Sequence, residues 1–176
     1  NQVNFELCDY REVKGKYQRL VSVGAFEHIG KKFYKTFFKK VHNIMTDNGI
    51  CLLHTIGTVN SPGPTQPFIQ KRIFPGGIIP SLSDLINPIE KTGLILADCE
   101  TLIHHYDKTL KAWLDRFLKN KEKAKFLYNK EFVRMWEFYL ASCSAGFKFR
   151  DLVVYQLQLV KSFTALPSNR RNYIYQ

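Results

Sequence analysis

The stretch from Leu20 to Gly30 reads Leu-Val-Ser-Val-Gly-Ala-Phe-Glu-His-Ile-Gly, an apolar run that leads directly into an acid and an imidazole. Its first part, Leu20 to Ala25, predicts a buried strand that ends just before Glu27. A second run of this kind, Ile50 to Gly57, carries His54 near its end. Consecutive parallel strands of a βαβ unit end at the same edge of the sheet, where open α/β sheets bind ligands. We therefore expect Glu27 and His54 to face one cleft.

The segment between these strands predicts an amphipathic helix from Lys31 to Met45, with Asn48-Gly49 as its C-cap. Aromatic and aliphatic residues recur on one side at helical spacing, and lysines occupy the other side. The apolar stripe is typical of a helix that packs on a sheet. The lysine side is usually solvated, and contact with an anionic membrane is the alternative.

The remaining pattern continues an α/β arrangement. A strand is expected over Val3–Cys8, followed by Asp9-Tyr10-Arg11, which is either a turn or an adenine contact. A Pro/Gly/Ser-rich loop follows the second strand and is typical of a lid or binding loop. Further helices are expected over Phe68–Phe74, from Ser81, over Leu110–Leu118 and over Asn129–Ala145, and further strands over Leu94–Leu102 and Leu152–Val160.

Composition limits the classes of protein that the chain can belong to. With 176 residues, 45% of them hydrophobic, residues 1–176 are expected to form a single domain with a core. No apolar run approaches the roughly 18 residues of a membrane span. The cysteines are scattered singly, which indicates reduced thiols rather than disulfides. The His104-His105 pair has no ligand partner at metal-site spacing, so no metal site is predicted.

The net charge of +11 indicates an anionic partner. Nucleic acid, anionic lipid headgroups or an acidic small molecule would each satisfy it. No aromatic-basic motif of an RNA-binding or DNA-binding module occurs, so nucleic acid is not expected.

Six ordered motifs carry a resemblance to a known family. They are Asp9-Tyr10-Arg11, Leu20–Gly30, Leu52–Gly57, Pro67–Ile69 with Ile73–Gly77, Tyr106–Leu110 with Trp113, and Arg134–Leu140 with Cys143. Through them the chain resembles cyclopropane-fatty-acyl-phospholipid synthases and the related mycolic acid cyclopropane synthases. The resemblance implies a class I S-adenosylmethionine methyltransferase (Rossmann-like) sheet with inserted helices, whose last strand runs antiparallel at the sheet edge. Residues 58–90 would then form a substrate-side loop and helical insertion.

The resemblance also implies an activity, which is methyl transfer from S-adenosylmethionine to the cis double bond of an unsaturated phospholipid acyl chain, with closure to a cyclopropane ring. Bicarbonate would serve as the base, held by Glu27, His54, Tyr106 and the backbone near Ile56. Cys143 matches an active-site cysteine of the family. Asp9 and Tyr10 would lie at the adenosyl part of the cofactor. Taken without the resemblance, a Glu-His pair at a strand end could equally cap the next helix, and His54 alone is more typical of a hydrogen-bonded core histidine. Tyr106 could anchor the start of a helix, and Cys143 could be a buried small residue of an apolar stripe.

The resemblance covers the C-terminal portion of a methyltransferase domain. The family's first strands, its glycine-rich cofactor loop and its bicarbonate-binding cysteine would precede residue 1, and we expect a molecule that started at Asn1 to be inactive. The family further implies a cytoplasmic protein peripherally associated with anionic membrane, through faces such as Lys31–Lys40 and Lys119–Lys130. A homodimer is one of the assemblies that the sequence allows. The alternatives are a methyltransferase of a soluble small molecule and a non-catalytic basic lipid-binding module.

Overall fold

A computed structural model describes residues 2–166 and 171–175 as a four-stranded mixed sheet with helices on both faces. The strands are β1 (Tyr17–Val23), β2 (Met45–Thr58), β3 (Ile95–Leu102) and β4 (Leu152–Val160). The helices are α1 (Tyr34–Ile44), α2 (Pro67–Arg72), α3 (Leu82–Glu90), α4 (His105–Lys119), α5 (Lys121–Leu127) and α6 (Lys130–Phe149). The α/β class expected from the sequence is confirmed.

The strand order is β1-β2-β4-β3. β1 and β2 are parallel, with Val23 opposite His54, and β4 runs antiparallel to both β2 and β3. The antiparallel direction of the last strand is therefore confirmed, but its expected place at the sheet edge is wrong. β4 lies between two strands, and both of its faces carry buried apolar side chains, as a central strand requires.

Helices cover the two faces of the sheet and create two apolar clusters. On one face, α1 and α3 pack over alternate residues of β2 such as Cys51 and Leu53. On the other face, α4 and α6 pack over Ile56 and Val154. Ser81 caps α3 with a capping box to Asp84, as its position before the helix predicts.

Two expectations near the first strands are wrong. Val3–Cys8 forms no strand, because it pairs with no other described segment, and Phe5 and Leu7 are fully exposed. β1 is not a buried strand either. It is the edge strand of the described sheet, and Val21 and Val23 stay 68% and 63% exposed since no described helix covers that face.

The predicted C-cap at Asn48-Gly49 is also wrong. α1 ends at Ile44, and residues Met45–Gly49 already belong to β2. Met45 is fully buried and pairs with Tyr17 of β1. Strand pairing therefore wins over the local helix-stop signal, because it buries an apolar side chain and adds ladder hydrogen bonds.

Two features are absent from residues 2–166 and 171–175, a membrane-spanning helix and a cluster of metal ligands. No helix there is both long enough and apolar enough to cross a membrane. No three or more histidine, cysteine or acidic side chains gather there as metal ligands would.

Candidate active site

The site begins where β1 leaves the sheet. Gly24 adopts a left-handed conformation with φ of 64°, and its N–H donates to the His54 carbonyl at 3.2 Å. The chain then turns into a 3-10 turn at Phe26–His28. Because the β1–β2 ladder ends here, the next N–H on that edge of β2, that of Ile56, has no strand partner. The Glu27 side chain takes this position, and its Oε1 accepts from Ile56 N at 2.7 Å.

Glu27 is held rigidly and is only 8% exposed. Its own carbonyl accepts from Ile78 N at 2.8 Å, which ties it to the segment that follows the Pro75-Gly76-Gly77 break. The second carboxylate oxygen, Oε2, is buried without a hydrogen-bond partner within the part of the chain that the structure describes. A buried oxygen of this kind is costly unless a ligand or water satisfies it. Glu27 therefore presents an acceptor ready for a donor group.

Glu27 lies in the wall of a cavity of about 660 Å³. Ile56, Tyr106 and Cys143 also line it, so four of the predicted site residues meet there. The rest of the wall is largely aromatic and aliphatic. It includes Phe68, Ile69, Phe74, Ile78, Leu110, Phe138, Tyr139, Phe147 and Leu152, while Thr58, Asn60, Arg150 and Asp151 form a polar part. Residues 58–79 supply one side of the cavity, as expected for the loop after β2.

Tyr106 and Cys143 reach the cavity from α4 and α6. Burial raises the pKa of Tyr106, and the charge of Glu27 raises it further. Burial raises the pKa of the Cys143 thiol to about 11, so it is protonated at neutral pH. The residues that follow Tyr106 and Cys143 link α4 to α6 by a hydrogen bond, in which Ser144 Oγ donates to the buried Asp107 carboxylate. Lys111 donates to the other oxygen of this carboxylate at 2.7 Å.

His54 does not line this cavity, contrary to the expectation that it shares a cleft with Glu27. It lies on the same face of β2 as Ile56 but two residues earlier, directly opposite Gln156 of β4. Its Nδ1 is 3.1 Å from the Gln156 side-chain amide, which holds the ring along the sheet. The structure thus brings Glu27, Tyr106 and Cys143 together and leaves His54 half-buried beside them.

A second cavity of about 580 Å³ lies along β1 and α1 and is lined in part by Tyr10. Asp9 is engaged with Arg11, which donates to both carboxylate oxygens and lowers the pKa of Asp9 to about 2. His28 lines both cavities. Tyr10 therefore lies on a cavity that adjoins the cavity of Glu27, Tyr106 and Cys143 at His28, whereas Asp9 lines neither cavity.

Sequence reasoning missed several residues that shape the site. Gly57 packs directly under the ring of Tyr155, whose hydroxyl donates to the Thr58 carbonyl at 2.9 Å. A lone glycine inside a strand can signal such a close approach. Tyr139 shares the α6 stripe with Cys143, a periodicity that indicated core rather than cavity wall.

Comparison with known proteins places this geometry in a family. The family model described as mycolic acid cyclopropane synthetase matches residues 1–157. The chain is 37% identical over 155 residues to the cyclopropane-fatty-acyl-phospholipid synthase of Escherichia coli K12, covering 88% of this chain and 40% of that protein. It is 35% identical over 167 residues to the tuberculostearic acid methyltransferase UfaA1 of Mycobacterium tuberculosis, covering 92% of this chain and 39% of that protein.

A solved structure agrees with the sequence matches. The mycolic acid cyclopropane synthase CmaA1 complexed with SAH and CTAB superposes with a TM-score of 0.77 at 30% identity, covering 85% of this chain and 57% of that one. The chain spans about two fifths of the length of the Escherichia coli synthase and of UfaA1. From the extent of the family match, the chain belongs to the mycolic acid cyclopropane synthetase family.

Proposed function

We propose that the protein containing this chain transfers a methyl group from S-adenosylmethionine to the cis double bond of an unsaturated phospholipid acyl chain and forms a cyclopropane ring. The observation that carries the proposal is Oε2 of buried Glu27, which has no hydrogen-bond partner among the described residues and lies in the wall of a largely apolar cavity that Tyr106 also lines. The relatives named for acyl-lipid synthesis and for fatty-acid methylation support it.

The aromatic cavity suits an acyl chain. An alkene is a weak nucleophile, so its alignment with the methyl donor must supply much of the rate. Methyl attack on an alkene produces a carbocation that water would trap, and the apolar wall excludes water. The faces of Tyr106, Tyr139 and Phe147 can also stabilise positive charge. The complex of CmaA1 with CTAB, a surfactant with a long alkyl chain, supports this use of the cavity.

The second cavity suits part of the methyl donor. Tyr10 offers an aromatic face for an adenine ring. His28 marks the point where this cavity adjoins the first cavity, lined by Glu27, Tyr106 and Cys143, which we call the acyl cavity. Asp9 fits less directly, because both of its oxygens already accept from Arg11. S-adenosylmethionine supplies an electrophilic methyl group on a sulfonium ion. The complex of CmaA1 with SAH supports this cofactor.

The residues around Glu27 also fit bicarbonate, which would supply a small base for the proton that the new methyl group must lose. Glu27 Oε2 can accept from its hydroxyl, and the Tyr106 phenol can donate to one of its oxygens. The Ile56 N–H is already engaged by Glu27 Oε1, so we assign Ile56 to the orientation of Glu27. His54 would contribute only if its ring moved into the cavity, which it does not line while its Nδ1 contacts the Gln156 amide. Cys143 is half-buried and its thiol is protonated at neutral pH, so we assign it to the wall of the cavity.

A methyl-branched product is the second candidate, favoured by the match to a tuberculostearic acid methyltransferase. The two products differ in lipid extracts, because a ring gives upfield proton signals in nuclear magnetic resonance that a methyl branch lacks. A polar soluble substrate is less compatible with the largely apolar wall of the cavity, because polar groups buried against that wall would lack hydrogen-bond partners.

We also propose that the protein works at the cytoplasmic surface of an anionic membrane. Of the two lysine faces, Lys31–Lys40 is partly used internally, since Lys31 pairs with Asp84 and Lys40 donates to the Arg11 carbonyl. In Lys119–Lys130 two lysines are likewise paired, Lys121 with Glu137 and Lys125 with Glu122. This face also carries the exposed apolar side chains of residues 126–128, which makes it the stronger candidate for lipid contact.

The test is made with the chain within the full-length protein. We expect Glu27→Gln and Tyr106→Phe to lower turnover at least about a hundredfold, as loss of a proton-handling group does, while cofactor binding persists. His54→Ala should reduce turnover less, because its ring lies outside the cavity. Glu90→Gln, on the exposed side of α3, is the matched control. Near-normal turnover in both Glu27→Gln and Tyr106→Phe would contradict the assigned roles.

A further inference from the structure

An exposed apolar tip lies where α5 ends. Phe126, Leu127 and Tyr128 are 89%, 62% and 64% exposed, and α5 contributes no buried residue. We call these three residues the α5 tip. Isolated exposed apolar side chains are normal on a protein surface, but three in a row at the tip of a helix form a patch. Such a patch indicates a partner that is itself apolar.

The charges around the α5 tip identify the kind of partner. The segment of residues 119–130 contains five lysines and one glutamate. Lys121 pairs with Glu137, and Lys125 pairs with Glu122 at 3.4 Å. The other three lysines, Lys119, Lys123 and Lys130, have no ion pair within residues 2–166 and 171–175. An apolar tip surrounded by lysines complements an anionic bilayer, in which apolar chains lie beneath negative headgroups.

A second copy of the chain fits the α5 tip less well. A two-fold contact would place the same surface of both copies face to face. The lysines around the tip would then oppose their own copies, and like charges in close contact repel.

The α5 tip is continuous with the acyl cavity through a row of stacked rings. Tyr128 stacks on Phe132 with ring centroids 4.2 Å apart, and Phe132 stacks on Trp136 at 5.7 Å. Trp136 contacts Tyr139 at 5.1 Å, and Tyr139 lines the cavity. From Phe132 to Tyr139 the α6 helix rises about 10 Å. One apolar path therefore joins the exposed tip to the cavity wall.

We propose that the α5 tip inserts into the interfacial region of an anionic bilayer. Its lysines bind the headgroups, and the row of rings along α6 gives an acyl chain an apolar wall between bilayer and cavity. The identity of the acyl chain as cargo rests on the proposed function, but insertion itself does not require methyl transfer. The two proposals can therefore fail separately.

Vesicle sedimentation of the chain tests the insertion. On phosphatidylglycerol vesicles, Phe126→Ala with Leu127→Ala should weaken binding at least about tenfold, since two side chains lose their burial in lipid. Phe163→Ala is the matched control, because Phe163 is 87% exposed but follows β4 at the opposite end of the sheet from the cavity. It should bind as the unmodified chain does. Phosphatidylcholine vesicles should bind all forms weakly.

A second measurement reports depth without removing the patch. The tryptophan fluorescence that Phe126→Trp adds to that of the unmodified chain should be quenched by lipids brominated on their acyl chains. The fluorescence that Phe163→Trp adds should not be quenched. If the double variant binds vesicles as tightly as the unmodified chain does, and the added tryptophan of Phe126→Trp is not quenched, insertion is overturned and only electrostatic contact is left. Self-association of the chain that is abolished by the double variant, without vesicle binding, would assign the α5 tip to a second copy instead.

Discussion

Replacement of Gly57 by alanine tests the packing that sets the position of the site. An added Cβ at Gly57 would overlap the ring of Tyr155 and lie 3.0 Å from the Pro80 carbonyl oxygen. Tyr155 is only 3% exposed and lies within the core, so its ring cannot move freely. The backbone of β2 or the ring must shift, and either movement disturbs the neighbouring Ile56 N–H that holds Glu27.

The size of the effect follows from these contacts. Overpacking of a core by one methyl group costs about 1 to 3 kcal/mol. A shifted ring also loses the hydrogen bond from the Tyr155 hydroxyl to the Thr58 carbonyl, worth about 1 kcal/mol. With a combined loss of about 2 to 4 kcal/mol, the melting temperature of a domain of this size should fall by about 4 to 16 °C.

Thermal unfolding followed by circular dichroism measures the change. Gly63→Ala is the matched control, because the nearest atom to its added Cβ is 3.9 Å away, and it should melt within about 1 °C of the unmodified chain. The Tyr155→Leu substitution replaces the ring with a smaller side chain and should relieve the overlap. Gly57→Ala should therefore lower the melting temperature less in a Tyr155→Leu background than in the unmodified chain. An equal cost in both backgrounds would refute the reasoning, as would an unchanged melting temperature of Gly57→Ala.

Two further predictions concern ionisable groups. Lys111 and Ser144 lower the pKa of Asp107, so its contribution to stability is present above the ordinary aspartate pKa and lost as pH falls through the lowered value. Asp107→Asn should therefore lower the melting temperature at neutral pH. The difference in melting temperature between this variant and the unmodified chain should become smaller in acid, and a difference that stays constant would contradict the prediction. Burial raises the pKa of Cys143 to about 11, so iodoacetamide at neutral pH should modify the exposed Cys8 first. Peptide mass spectrometry over time measures both rates, and equal rates would show that Cys143 is not protected.

Local patterns predicted much of the fold. The apolar runs that became β1 and β2 end at Val23 and Thr58, and the parallel pairing of these strands brings Glu27 to the edge of the sheet. The stripe on α6 and the Ser81 cap of α3 were also readable, because helical periodicity and capping depend on residues three or four apart. Two of the wrong expectations, at Val3–Cys8 and Asn48-Gly49, concern segments whose state depends on a strand partner.

The candidate site divides in the same way. Motif order indicated Glu27, Tyr106 and Cys143, and the structure brings all three to one cavity. Motif order could not indicate that Gln156 would hold His54 outside that cavity, because only the pairing of β2 with β4 brings these two residues together. The role of Ile56 was likewise hidden, because its N–H is free only where the β1 ladder ends.

The sequence by itself determined the alternation of strands and helices, the basic charge and the acid that follows the first strand. Tertiary structure alone decided that β4 lies between β2 and β3, that Glu27 Oε1 accepts from the Ile56 N–H, and that its Oε2 has no hydrogen-bond partner among residues 2–166 and 171–175. The reason is physical. Periodicity and capping act within one or two turns of chain, whereas hydrogen bonds between strands and the walls of a cavity join residues far apart in sequence, whose meeting depends on the whole fold.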